Sequence, residues 1–299
     1  MQKSTISQTI AVIHADPAQP TTIPLPSPIA EPHQDTPQSA DTEPRRTLIT
    51  YVYSETDEAR KNLIFFLNHG LHSAADFVFI FNGKSNASEL LPQELNIQFI
   101  QRDNTCYDLG AHAEVLTEHD LWLRYDKFIL MNASVRGPFM PHWAEACWSD
   151  RILSRVTEEV KLVGLSINCW PTTHVQSMVW ATDREGLNLL LYPPKDRINM
   201  CFPNRQLTVE AEIGATGIIL GAGKRVDVML MKFQTETDYV AHCAKLGVWD
   251  PQSDGGYDGI SIHPFETLFT KTNRGITPIL LELMAKWEDQ GNYTSYDYC

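Results

Sequence analysis

The chain has 299 residues, 43% of them hydrophobic, and carries a formal net charge of −13. That length allows one large domain or two small ones, with enough apolar material for a sizeable core. The acidic balance repels phosphate backbones and so excludes nucleic acid as an expected partner. Any anionic ligand must be held locally, by backbone N–H groups and a few placed cations.

Residues 1–46 hold eight of the eighteen prolines and neither glycine nor Phe, Trp or Tyr. Such a stretch buries too little apolar surface to offset its ordering entropy, so it is read as a disordered proline-rich tail. That reading includes the Ile10-Ala11-Val12-Ile13 patch, whose docking is weighed and set behind flexibility. A single domain is expected over 47–299, with a donor half at about 47–140 and an acceptor half at about 141–299.

The charge-free Thr47–Tyr53 reads as a strand buried on both faces. Asp57–Leu71 has helical spacing, with Gly70 near its end. Further strands are expected at Phe77–Phe81, Ile97–Ile100 and Lys127–Met131, and a helix at about Leu109–His119. This rhythm belongs to an α/β fold with an open, mainly parallel, Rossmann-like sheet flanked by helices, in which ligands bind where strands end and helices begin. Polar residues gather at those edges: Ser54-Glu55, Asn82-Gly83, Arg102-Asp103-Asn104 and Asn132-Ala133-Ser134. In the second half, Val160–Ser166, Val175–Ala181 and Arg225–Leu230 read as strands. Leu207–Gly221 is expected to end in a helix. Thr277–Asp289 reads as an apolar helix whose Ile279, Leu280, Leu283 and Trp287 pack inward.

The six cysteines, Cys106, Cys147, Cys169, Cys201, Cys243 and Cys299, are scattered, with no C-x-x-C pair. Neither zinc nor disulfide spacing is apparent, so a reduced compartment is expected. The N-terminus lacks the apolar segment of a signal peptide, and no run of about 18 apolar residues occurs. These readings point to a cytoplasmic protein without a transmembrane segment. His69 and His72 are taken as helix-surface residues, and Cys106 as a half-buried thiol rather than a nucleophile.

Two segments carry the chemistry. Arg102-Asp103-Asn104-Thr105-Cys106-Tyr107-Asp108-Leu109-Gly110-Ala111 follows a strand and opens a helix. Arg102 there could pair with a diphosphate and Asp108 with a hydroxyl, against the plainer reading of a turn with an N-capping Asp. Tyr125-Asp126-Lys127-Phe128-Ile129-Leu130-Met131-Asn132-Ala133-Ser134-Val135-Arg136-Gly137-Pro138-Phe139 drives a strand into a short polar tripeptide, or is an ordinary strand-to-turn junction. Together these segments resemble the rhamnan-synthesis F-type glycosyltransferases. Leu162-Val163-Gly164-Leu165 with His174-Val175-Gln176-Ser177 resembles further pieces of that family, as do Glu210-Ala211-Glu212-Ile213-Gly214, His263-Pro264 and Lys271-Thr272-Asn273-Arg274. The similarity runs through about residues 48–276.

The resemblance implies a GT-A-like fold, a nucleotide-diphosphate sugar donor and a hydroxylated acceptor, either a glycan or a small metabolite. It implies hexosyl or deoxyhexosyl transfer. Tyr53, Ser54 and Asn82 would line the base and ribose pocket, and Arg102, Asn104 and Asp108 would hold the ribose, diphosphate or sugar. His263 and Lys271 would add donor contacts, with Arg136 and Arg274 as further cations. His174, Gln176 and Trp170 would face the acceptor. Asn132-Ala133-Ser134 stands where GT-A enzymes usually carry Asp-x-Asp. Since Asn132 and Ser134 are neutral, no metal ligand is assigned, and dependence on manganese or magnesium is left open. An inverting transfer needs a carboxylate base. Glu212 is placed first and Glu210 second, against the plainer reading of acidic residues favouring a helix N-terminus.

Two rival readings are kept. One is a non-catalytic nucleotide-sugar-binding or interaction protein of the same fold, favoured by the neutral tripeptide. The other is a Rossmann oxidoreductase, disfavoured because no G-x-G-x-x-G follows the first strand.

Overall fold

The computed structural model describes residues 9–11, 47–193, 197–274, 276–291 and 294–299. The first half runs β1 (Thr9–Ala11), β2 (Thr47–Ser54), α1 (Asp57–His69), β3 (Ala75–Asn82), β4 (Ile97–Arg102), α2 (Tyr107–Thr117), β5 (Lys127–Asn132) and β6 (Val135–Arg136). The second half continues with α3 (Trp148–Leu153), β7 (Val160–Gly164), β8 (Ile167–Asn168), β9 (His174–Val175), β10 (Val179–Asp183), α4 (Arg184–Leu191) and α5 (Arg205–Gly221). It closes with β11 (Arg225–Val228), α6 (Tyr239–Leu246), α7 (Pro264–Thr267), β12 (Thr270–Lys271), α8 (Pro278–Gln290) and α9 (Ser295–Tyr298).

The chain folds as an α/β protein around one sheet, ordered β1-β4-β3-β2-β5-β10-β7-β11. β4, β3, β2 and β5 are mutually parallel, β10 is antiparallel between β5 and β7, and β11 is parallel to β7. Alternation along β2 sends Ile49, Tyr51 and Tyr53 into one core layer and Leu48 and Val52 into the other. This two-sided burial explains why the strand carries no charge. α1 opens on Thr56, whose hydroxyl accepts the Ala59 N–H at 3.0 Å. Gly70 closes α1 for reasons of room: a Cβ there would lie 2.5 Å from the Phe66 ring, while its φ of −104° suits any residue.

The chain moves outward from β2 to β3 and β4, then returns to place β5 on β2's other flank. Connections therefore leave β2 and β5 in opposite directions, opening a crevice at their carboxyl ends, where ligands of open α/β sheets bind. α2 is pinned to this edge from within, with Thr50 Oγ1 and His112 Nδ1 2.8 Å apart and both buried.

Several expectations are corrected. Within the expected tail, Thr9–Ala11 pairs antiparallel with β4, Ile10 opposite Ile100. A strand edge recruits even a short apolar segment, because its backbone groups need partners. The remainder of the expected tail lies outside the described residues. The strand expected at Val175–Ala181 divides between β9, paired with β8, and β10 in the main sheet. Ile279, Leu280, Leu283 and Trp287 face outward, and α8 packs instead through Leu281, Met284, Ala285 and Glu288. An apolar stripe fixes a helix's phase but not which side meets the core. His69 and His72 are buried rather than on the surface; His69 meets Asp289 at 2.7 Å, and burial pushes His72 down to about 4.

The cysteines also depart from expectation. All six pair, as Cys106–Cys201, Cys147–Cys299 and Cys169–Cys243. Partners lie 74 to 152 positions apart, so no local spacing reveals them. Disulfides persist in oxidising compartments, and the pairing removes the ground for the cytoplasmic expectation. Among the described residues, no helix is long and apolar enough to cross a membrane.

Candidate active site

A cavity of about 250 Å³ opens at the switch point. Ser54 from the end of β2, Glu58 from α1, Asp108 from α2, Asn132 at the end of β5, Ser134 just beyond it, and Thr272 after β12 line it. This volume is close to that of small-molecule sites.

A buried amide holds these segments together. Asn62 is fully buried on α1, and its Nδ2 donates to Ala133 O at 2.9 Å and to Thr272 Oγ1 at 3.0 Å. Its Oδ1 accepts Arg136 Nε at 2.9 Å. Ala133 N donates to Val52 O, and Thr272 N to Ser134 O. The β6–β12 ladder, with Val135 opposite Lys271, then delivers Lys271 to the sheet edge. Every polar atom of Asn62 is used, which turns its desolvation cost into positional specificity.

Three ionisable groups from α2, α5 and β12 share one field. Asp108 is partly buried, and desolvation raises its carboxyl to about 6; nearby Glu212 pushes the same way, while Lys271 and a hydrogen bond from Asn132 oppose the rise. Burial pulls the Lys271 ammonium below its ordinary range, with Arg274 adding to the fall and Glu212, Asp108 and Asp250 resisting it. Glu212 Oε1 accepts the Ser177 N–H at 2.6 Å, which sets the carboxylate toward the β8–β9 side. There Gln176 accepts from Ser166 Oγ at 2.6 Å and donates to Asp250 at 3.4 Å, while Arg274 pairs with Asp250 at 3.2 Å.

The sequence-based residues divide between this site and other roles. Ser54, Asp108, Asn132 and Ser134 line the cavity, with Lys271 and Glu212 in Asp108's field. Tyr53 does not line the pocket: it is fully buried in the core, 5.4 Å from the Phe81 ring. Its neighbours Val52 and Ser54 take the cavity side, as strand alternation requires.

Arg102 is a buried latch. Its guanidinium donates to Asn82 Oδ1 at 2.7 Å, to Thr105 O at 2.9 Å and to Glu114 at 2.5 Å. Asn82 is spent on that latch, and neither residue lines the cavity. Asn104 is exposed, packed under Gly83. Arg136 is likewise buried and committed to Glu58 at 2.8 Å and Glu282 at 3.3 Å.

Glu210 and Glu212 do not precede a helix. α5 begins at Arg205 with Asn204 as its cap, so both carboxylates lie beyond the first turn, outside the reach of the helix-terminus effect. Glu210 is exposed and bonds Gln206, leaving Glu212 alone on the site's side. His263 is exposed and caps α7 through the Phe265 N–H. His174 is buried and donates from Nδ1 to Thr172 O at 2.8 Å, and Trp170 is exposed. Cys106 is disulfide-bonded. Gly110 lets the 200–202 segment cross α2, where a Cβ would lie 2.7 Å from Met200 O.

Asn62 and Asp250 escaped the sequence reading, and Thr272 entered it only as a member of its motif, without a role. For Asn62 a signal exists: it shares a helix face with Ala59 and Phe66, and an amide on a buried face requires partners.

The donor set does not suit a divalent cation. Asn132 Oδ1 already accepts from Ser134 N at 3.1 Å and Ser134 Oγ at 2.5 Å. Glu58 is tied to Arg136, and the remaining lining carboxylate, Asp108, has an ammonium in its field. Hard cations need several oxygen ligands converging on one point. The group of His72, Cys147 and Cys299 is no better, because its two sulfurs are joined to each other.

No protein-family model matches the chain, and no curated protein does. The resemblance to rhamnan-synthesis F-type enzymes therefore draws no support from family models. Among solved structures, the chain is similar to the mannosyltransferase PcManGT from Pyrobaculum calidifontis in complex with GDP-Man and Mn2+, at 13% identity and a TM-score of 0.41, covering 62% of this chain and 54% of that one. It is also similar to the glycosyltransferase GlyE of Streptococcus pneumoniae TIGR4, at 12% identity and a TM-score of 0.40, covering 80% of this chain and 60% of that one. The chain thus spans somewhat over half the length of either. At these scores the likeness carries nothing about donor, acceptor or metal.

Proposed function

We propose that this chain is a glycosyltransferase of GT-A-like type, moving a hexose or deoxyhexose from a nucleotide-diphosphate sugar to a hydroxyl acceptor. The observation that carries this reading is the joining of Asp108, Lys271 and Glu212 in one field beside the switch-point cavity. A sugar nucleotide offers matching chemistry, with hydroxyls for a carboxylate and a diphosphate for an ammonium. The motif resemblance to rhamnan-synthesis F-type enzymes agrees with the same assignment.

In this reading Ser54, Asn132 and Ser134 shape the donor cavity, and Asp108 accepts a hydroxyl of the ribose or sugar. Lys271, backed by Arg274, offsets charge on the departing diphosphate, a role for preorganised cations. The acceptor enters from the β8–β9 side, past Trp170 and the segment bearing His174 and Gln176. Its hydroxyl oxygen attacks the anomeric carbon as the bond to the diphosphate oxygen breaks, with inversion, and its proton passes to Glu212. No step is routed through a metal. The three disulfides support work in an oxidising compartment.

Glu212→Gln tests the base. Donor turnover, as transfer or slow hydrolysis, is expected to fall at least about a hundredfold, with donor affinity retained. Full turnover in that variant would place the base elsewhere. A wild-type chain that binds donors but never turns them over would favour the non-catalytic reading.

A further inference from the structure

A second hollow, of about 380 Å³, lies between the end of α8, α7, the C-terminal α9 and the loop after β6. Its walls are aromatic: Trp287, Phe265 and Tyr298 line it while remaining 63%, 42% and 38% exposed. Large rings left that open to water would ordinarily turn inward, as most of the chain's aromatics do. Polar groups also line the hollow. Glu288 is 9% exposed, with Oε1 accepting the Met140 N–H at 3.1 Å, and His142 brings an imidazole.

The hollow is built to hold its shape. Cys299 follows Tyr298 directly and is bonded to Cys147, which ties α9 to the segment that carries Met140 and His142. Ser295, at the start of α9, donates to His69 O, and Glu288 links α8 to the same loop. A ligand meeting prearranged walls loses less to ordering them.

We propose that this hollow is a carbohydrate-binding site that takes a pyranose ring. A pyranose has one face of C–H bonds and a rim of hydroxyls. The C–H face, slightly positive, stacks on the electron-rich faces of Trp287 and Phe265. The rim matches a carboxylate that accepts from hydroxyls and an imidazole that donates or accepts. The volume falls within the range of small-ligand pockets. A purely apolar ligand would strip water from the Glu288 carboxylate and offer it no hydrogen bond beyond the one from the Met140 N–H, at a desolvation cost. The inference stands apart from the donor reading, because a saccharide can be held here whether or not a nucleotide occupies the sheet edge.

The test uses the full chain with its disulfides intact and without nucleotide. Methyl glycosides of glucose, galactose, mannose and N-acetylglucosamine are titrated at millimolar concentration, with binding followed by saturation-transfer NMR. At least one is expected to bind. Trp287→Ala and Glu288→Gln are expected to weaken it about tenfold or more. Trp143→Ala, exposed but outside the hollow, and Trp170→Ala, beside the other site, leave affinity unchanged, and saturating UDP does not displace the glycoside. Trp287 is exposed enough that its truncation spares the fold, which a thermal melt verifies. Silence from all four glycosides overturns the proposal. So does binding that survives Trp287→Ala, that is lost in Trp170→Ala, or that UDP displaces.

Discussion

The Asp108 carboxylate and the Lys271 ammonium lie in one another's field, the first carried by α2 and the second by the β6–β12 ladder. Neither would be placed there for stability alone. Burial raises Asp108 to about 6 from an ordinary 3.8, so the folded chain takes up a proton more readily than the unfolded one. Asp108's contribution is therefore most favourable below about pH 3.8 and is lost as the pH climbs through about 6. Asp108→Asn is expected to raise the Tm at pH 7 by roughly 2–4 °C and to leave it unchanged near pH 3.5. The same variant is expected to bind nucleotide more weakly. A lower Tm at pH 7 would mean that Asp108 is structural.

Arg102 makes the opposite prediction. It is a latch between β3, β4 and α2, with its side chain 3% exposed and its partner Glu114 28% exposed. Arg102→Met leaves that carboxylate and Asn82 without their donor. It is expected to cost about 3 kcal/mol in urea denaturation. Nucleotide affinity of the folded fraction should not change, and a selective loss of affinity would return Arg102 to the site.

Peptide mapping under non-reducing conditions is expected to find the pairs 106–201, 147–299 and 169–243. Cys147→Ser with Cys299→Ser releases a loop of 152 residues and is expected to cost about 2–4 kcal/mol. Native protein whose cysteines all react with a thiol reagent would contradict the pairing.

The contrast between Asp108 and Arg102 shows where sequence reading succeeds and fails. The parallel strands and α1 were legible because burial on both faces and the spacing of Leu63 and Phe66 are local patterns. The carboxyl edge was legible too, since polar residues at strand ends follow from topology. The commitment of Arg102 was not legible, because its motif position says nothing of whether Glu114, about two turns along α2, will claim it. Tyr53 shows the finer failure: strand alternation predicts that Val52 and Ser54 share one face and Tyr53 the other, but not which face meets the cavity. The disulfides, Asn62's bonds to 133 and 272, and the outward phase of α8 depend on contacts between distant segments, which no local pattern encodes.

The central claim is that the switch-point cavity holds a nucleoside diphosphate through Lys271. A thermal-shift titration of the full chain with UDP, GDP and dTDP, in the presence of a chelator and with NAD as control, tests it most directly. At a hundredfold excess over Kd, at least one diphosphate is expected to add about 2.7 kcal/mol, a rise of several degrees. NAD is expected to add nothing, and Lys271→Gln to abolish most of the shift. No response to any diphosphate, or an undiminished response in Lys271→Gln, would contradict the account.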